Sequence, residues 1–156
     1  MIEKLEQLCK RIPATEQMLS IQGIGIKTVA GLLAEVGDIG RFQTPKQIQK
    51  LAGLALKENS SGKHKEATTI SRRGCARLRT LLFNAAIALI GKNDAYRKLH
   101  QHYTQRSKNP LKKKQSVVAI SCKLIRIFYA LLSKDIAYDE EKMLKDIVWE
   151  SENTVA

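Results

Sequence analysis

Two short stretches hold residue types that could act together on a phosphodiester. In Ser60-Ser61-Gly62 a serine pair precedes glycine within a polar stretch, and Lys63, His64 and Lys65 follow directly. A hydroxyl that attacks phosphorus needs a proton acceptor or a metal, and cations around the charge that builds in the transition state. Ile70-Ser71-Arg72-Arg73-Gly74-Cys75-Ala76-Arg77-Leu78-Arg79 supplies cations of the right kind, since guanidinium stays charged and grips phosphate oxygens through a planar fork. Read as a helix, this stretch puts Arg73, Arg77 and Thr80 on one side and Leu78, Leu81 and Leu82 toward a core. Arginines four apart with no intervening acid repel unless they share an anion. Lys63, Arg72, Arg73, Arg77 and Arg79 are therefore candidate nucleic-acid ligands. His64 reads either as a proton acceptor or as a solvated loop side chain. By itself Ser-Gly in a polar stretch is an ordinary turn, so its neighbours carry the argument.

A third stretch, Leu19-Ser20-Ile21-Gln22-Gly23-Ile24-Gly25-Ile26-Lys27-Thr28-Val29-Ala30, has the pattern of a DNA-binding helix-hairpin-helix. Glycine permits positive φ and close approach of a phosphate, and the unbonded amides at the next helix start point toward it. Gly23, Gly25, Lys27 and Thr28 are the candidate contacts, with Ile24 anchoring the turn in the core. Contacts of this kind position a duplex without reading its sequence. The plain alternative is a tight helix–helix turn with no ligand.

The charge is placed to suit such a partner. The 156 residues carry 27 basic and 15 acidic side chains, a net +12. Residues 61–126 hold 16 of the bases and only two acids, Glu66 and Asp94, whereas residues 127–156 hold three bases and seven acids. A one-sign block of this size repels itself unless a polyanion screens it, and DNA is the partner we expect. An acidic protein or the inner face of a membrane is the alternative. Lys108, Lys112, Lys113 and Lys114 form a further basic link that solubility alone would explain. Three cysteines, Cys9, Cys75 and Cys122, lack metal-ligand spacing, which points to a reducing cytoplasm. We find no apolar run of membrane-spanning length and no signal-peptide pattern at the start.

The elements that must position these residues read as helices. Periodicity predicts helices over 2–11, over 15–19 and, most strongly, over 26–36, closed by Gly37. Thr44 and Pro45 open a short helix to about 52. Residues 53–70 lose helical periodicity and read as one long polar loop with room for a short β-hairpin around Ser60-Ser61-Gly62. Connections of that length within a compact domain are uncommon and are usually either functional or disordered. Helices resume near 74, over 94–106 and over 116–132, the last with Val117, Ile120, Leu124 and Phe128 on one face. That face offers a third reading, a bundle that dimerises through Ile120 and Ile127. The expected class is all-α: a helical domain with a helix-hairpin-helix motif over 15–135, a linker helix at 1–14 and an acidic tail at 136–156, helical around Met143, Ile147 and Trp149.

In order, the Gly-Ile-Gly turn, Ala-Glu-Val-Gly-Asp-Ile-Gly-Arg-Phe, Leu-Ala-Gly-Leu-Ala, Ser-Gly, Ile-Ser-Arg-Arg-Gly, Leu-Arg-Thr-Leu-Leu-Phe and Lys-Leu-Ile-Arg-Ile-Phe-Tyr-Ala-Leu-Leu resemble the C-terminal transposase domain of the insertion-sequence one-ten family, over about residues 18–135. That family includes the pilin-inverting site-specific recombinases. The resemblance implies a DNA recombinase in which Ser61, eight residues after Gly53, is the nucleophile that links covalently to DNA, with Ser60 its nearest rival. It also implies an oligomer on DNA and, for several members, a guide RNA. Leu56 departs from the family by standing where proline is common. Magnesium belongs to a preceding RuvC-like domain with four acidic residues, joined through a coiled coil whose end would fall at Met1. No cofactor is expected within this chain, and we expect it to be a separated, truncated or split part that cannot recombine DNA alone. The other reading is a non-catalytic DNA- or RNA-binding module.

Overall fold

The computed structural model describes residues 1–57, 60–61, 64–65, 69–134 and 136–145, with the backbone alone at 57, 60, 61, 64 and 65. Among the described residues eight α-helices form: α1 (Ile2–Cys9), α2 (Ala14–Leu19), α3 (Ile26–Val36), α4 (Pro45–Leu51), α5 (Ala76–Lys92), α6 (Asp94–Gln105), α7 (Lys113–Lys134) and α8 (Glu140–Lys145). The all-α expectation holds, and α3 has the bounds that its periodicity predicted. Thr44 stands at the N-cap of α4 with Pro45 in its first turn, although the Thr44 side chain makes no capping bond.

The core forms around α5, which packs against α3, α6 and α7. Leu78, Leu82, Ala86 and Leu89 recur at helical spacing along α5 and are almost wholly buried, as are Ile120, Leu124 and Phe128 on α7. Polar side chains stitch the helices where apolar contact alone would leave the register free. The Ser121 hydroxyl donates to the Val117 carbonyl at 2.9 Å and lies 3.3 Å from the Leu82 carbonyl of α5. His100 Nδ1 and the buried Ser116 hydroxyl are 2.8 Å apart and join α6 to α7.

Three expectations need correction. Helix α5 begins at Ala76, so Arg73 precedes the helix instead of sharing a face with Arg77. Ile120 is fully buried in the chain's own core, which removes the dimerisation reading of that face. Helix α7 is also long and apolar enough to cross a membrane by length and composition, contrary to the expectation that no such run exists. Its buried face packs on α5, α6, α4 and α2. Met143 of α8 is buried, while Ile147 and Trp149 lie outside the described residues.

The polar stretch between α4 and α5 contains the short β-hairpin for which its sequence left room around Ser60 and Ser61. Strands β1 (Leu56–Lys57) and β4 (Thr69–Ile70) pair antiparallel, with Leu56 opposite Ile70 and Lys57 opposite Thr69. Strands β2 (Ser60–Ser61) and β3 (His64–Lys65) pair likewise, with Ser60 opposite Lys65 and Ser61 opposite His64. Two residues separate β1 from β2, but three separate β3 from β4, so the pairing register slips by one between the ladders.

Candidate nucleic-acid interface and serine hairpin

The candidate residues gather at the two ends of α5. Its 17 residues span about 25 Å at the helical rise. The glycine turn between α2 and α3 sits against its C-terminal end, and the hairpin that carries Ser61 joins its N-terminal end.

At the C-terminal end, the chain leaves α2 at Ser20, and Ile21 and Ile24 are buried, as the anchoring role of Ile24 requires. Gly23 has φ +102, and a Cβ there would meet the Leu89 side chain at 3.2 Å and its Cα at 3.4 Å. Glycine is needed at this position for both conformation and close packing. Gly25 differs: its φ of −103 is open to any residue, and nothing lies within 4 Å of where a Cβ would stand. The first bonds of α3 run from the Thr28 and Val29 amides to the Gly25 carbonyl, so the amides of Gly25, Ile26 and Lys27 precede the helical ladder. Lys27 is exposed and Thr28 half-buried. Sequence reasoning missed Asn93, which is buried at the α5–α6 corner. Its Nδ2 donates to the Gln22 carbonyl at 3.1 Å, and its Oδ1 accepts from the Ala95 amide at 3.0 Å. Asn93 thereby fixes the turn to the α5–α6 corner; the only sequence hint was an Asn before a helix.

At the N-terminal end, α4 stops in a Schellman cap. The Leu54 amide donates to the Gln49 carbonyl, the Gly53 amide donates to the Lys50 carbonyl, and Gly53 has φ +71. The hairpin base is then laced to the approach to α5. The Ser71 amide donates to Ala55 at 2.8 Å, Arg72 to Gly53 at 3.0 Å and Cys75 to Leu51 at 2.6 Å. Gly74, at φ +134, passes so close to the Leu51 carbonyl that a Cβ would collide with it. Cys75 caps α5: its Sγ accepts from the Leu78 amide at 3.5 Å and donates to Glu35 Oε2 at 3.2 Å.

The predicted cations separate by role. Arg72, Arg73 and Arg77 are exposed, and none is ion-paired among the described residues, whereas Arg97 pairs with Asp94 at 2.9 Å. Arg72 has φ 52, unusual for a residue with a side chain. Arg79 is half-buried, and its Nη1 donates to the carbonyls of Ala52 at 3.2 Å and Arg72 at 3.3 Å. Lys63 lies outside the described residues, and at Ser61 the structure gives the strand position, opposite His64. Among the described residues no three His, Cys, Asp or Glu side chains come together.

Together these features define a class of protein: a cation-rich helical domain that offers a glycine turn at one end of its central helix and a serine hairpin at the other. The sequence profile described as transposase IS116/IS110/IS902 family matches residues 15–101, and the chain belongs to that family. It is 35% identical over 126 residues to the pilin gene-inverting protein of Moraxella bovis, covering 79% of this chain and 38% of the relative. It is 33% identical over 141 residues to the transposase for insertion sequence element IS1111A of Coxiella burnetii, covering 87% and 37%. A probable family 20 transposase of Pseudomonas aeruginosa is 33% identical over 127 residues, covering 79% and 36%. The chain thus spans less than two-fifths of the length of these relatives. The chain therefore shares a family with proteins named as transposases and as a pilin gene-inverting protein.

Proposed function

We propose that this chain is the C-terminal, DNA-engaging part of an insertion-sequence transposase and that it contributes Ser61 as the nucleophile of strand transfer. The observation that carries the reading is the hairpin: Ser61 lies on a two-stranded element whose base joins the approach to α5, where Arg72, Arg73 and Arg77 are exposed and form no ion pair among the described residues. In the step itself, the Ser61 oxygen forms a bond to the scissile phosphorus while the bond from phosphorus to the leaving deoxyribose oxygen breaks. The hydroxyl proton goes to a base, and the leaving oxygen takes up a proton. His64 is the register partner of Ser61, and in this reading it accepts that proton, its alternative being a solvated loop side chain. Arg72, Arg73, Arg77 and Lys63 offset charge on the phosphoryl oxygens. The phosphodiester bond energy is conserved in the protein–DNA link and returned when the strand is rejoined.

The glycine turn serves as a second, positioning contact: the open space before Gly25 and the leading amides of α3 suit a backbone phosphate, with Lys27 and Thr28 beside it. Magnesium would be held in a RuvC-like part outside the residues described here, and active assemblies would be oligomers on DNA, with a guide RNA as a further partner. The decisive experiment supplies that RuvC-like part with Mg²⁺ and a cognate DNA end, then looks for a covalent adduct. Adduct is expected from the wild type and from Ser60→Ala and should disappear in Ser61→Ala; survival in Ser61→Ala removes the assignment.

The second reading is a non-catalytic DNA- or RNA-binding module, supported by the exposed Arg72, Arg73 and Arg77 and the leading amides of α3, which need no reacting group to hold a phosphate. It anticipates salt-sensitive binding with no adduct under any metal condition.

A further inference from the structure

Arg79 differs from the other arginines of its stretch in where its charge goes. It lies in the first turn of α5, its amide bonded to the Cys75 carbonyl at 3.1 Å. Helical side chains lean toward the N-terminus, so a long one at this position reaches back over the helix start. A cation is disfavoured there by the positive end of the helix dipole unless something accepts its hydrogens. Two backbone carbonyls do so, and they come from opposite sides of the hairpin base: Ala52 leads into β1, and Arg72 follows β4. The space is reserved by a missing side chain. A Cβ on Gly53 would stand 2.5 Å from Arg79 Nη1. The left-handed Arg72 is held on both sides, its amide by the Gly53 carbonyl and its own carbonyl by Arg79.

We propose that Arg79 is a positioning residue rather than a phosphate ligand, with its guanidinium latching the two ends of the hairpin so that the strand carrying Ser61 holds a fixed place against α5. The consequence for strand transfer rests on the Ser61 reading; the latch itself does not.

The test uses the full chain and three variants: Arg79→Lys, which keeps the charge but loses the planar fork, Arg79→Met, and Arg77→Ala. Amide hydrogen exchange and the salt dependence of binding to a short DNA duplex are read for each. Both Arg79 variants should speed exchange at Ser71 and Arg72 by about tenfold or more, with Leu82 to Leu89 of α5 unchanged. Their log–log salt slopes should match the wild type. Arg77→Ala should do the reverse, with exchange unaltered and a slope shallower by about 0.9. A slope lowered by that amount in Arg79→Met with hairpin exchange unaltered would overturn the latch. Exchange rising uniformly through α5 in Arg79→Lys would also overturn it, because the effect would then be global. In the reconstituted reaction Arg79→Lys should slow adduct formation at unchanged DNA affinity; an unchanged rate removes the positioning role. If the exchange results come out as expected while Ser61→Ala still forms adduct, the latch stands and the nucleophile assignment fails.

Discussion

The two ends of α5 use glycine for opposite purposes. At the hairpin end the missing side chains are filled space: Gly53 admits the Arg79 guanidinium, and Gly74 lets the chain pass the Leu51 carbonyl. At the turn end Gly23 is of the same kind, packed on Leu89, but Gly25 opens onto nothing. A glycine that is sterically required by the fold has a structural cause. Gly25, at an ordinary φ beside open space and a helix start, is left with room for a ligand, and under the proposed function a backbone phosphate takes it. The turn end therefore looks outward, whereas the hairpin end is first of all a means of holding a two-stranded element in place.

The comparison breaks most readily at Gly74. Alanine there combines left-handed strain with a backbone collision, and urea unfolding should show a loss of about 2–4 kcal/mol. An effect below about 0.5 kcal/mol would mean that the lacing of Leu51 to Cys75 is dispensable. Gly25→Ala sharpens the other side. Thermal or urea unfolding should stay within about 0.5 kcal/mol of the wild type, while affinity for duplex DNA falls severalfold. A destabilised variant with unchanged affinity would make the turn purely structural.

The smallest effect lies away from both ends, where the Tyr96 and Tyr138 hydroxyls meet at 3.2 Å between α6 and the segment before α8. Burial is the main cause that raises both phenols above their usual value near 10, and for Tyr96 the neighbouring Tyr138 adds to it. A phenol with a raised folded-state pKa stabilises fully below the unfolded value and loses that contribution as pH climbs past it. Stability should thus be flat near neutrality and decline above about pH 10. Tyr96→Phe should make the decline shallower by about 1.4 kcal/mol per pH unit, and an unaltered slope would remove Tyr96 from the account.

Much of this was legible in the residues themselves. The run 26–36 closed by Gly37 placed α3 to the residue, and Leu78 and Leu82 were expected to face the core, as they do. The order of motifs resembled the transposase family whose profile matches residues 15–101, and the Ser-Gly pair suggested a hairpin that does pair, Ser61 opposite His64. Less could be read where a role depends on a distant partner. Arg73 and Arg77 looked like one helical face because periodicity cannot say that Cys75 caps the helix after Arg73. Arg79 looked like its neighbours because its acceptors, Ala52 and Arg72, are backbone carbonyls with no signature in sequence. Asn93 gave no sign that it would hold the Gln22 carbonyl 71 residues away.

The sequence alone determined where the charge lies, which segments are helical and where glycine interrupts them, because composition and local periodicity act over one or two turns. Only the tertiary structure decided which glycines are packed and which are open, and which arginine turns inward. Those outcomes depend on backbone atoms brought together from remote parts of the chain, and a hydrogen-bond acceptor on the backbone is the same whatever residue bears it.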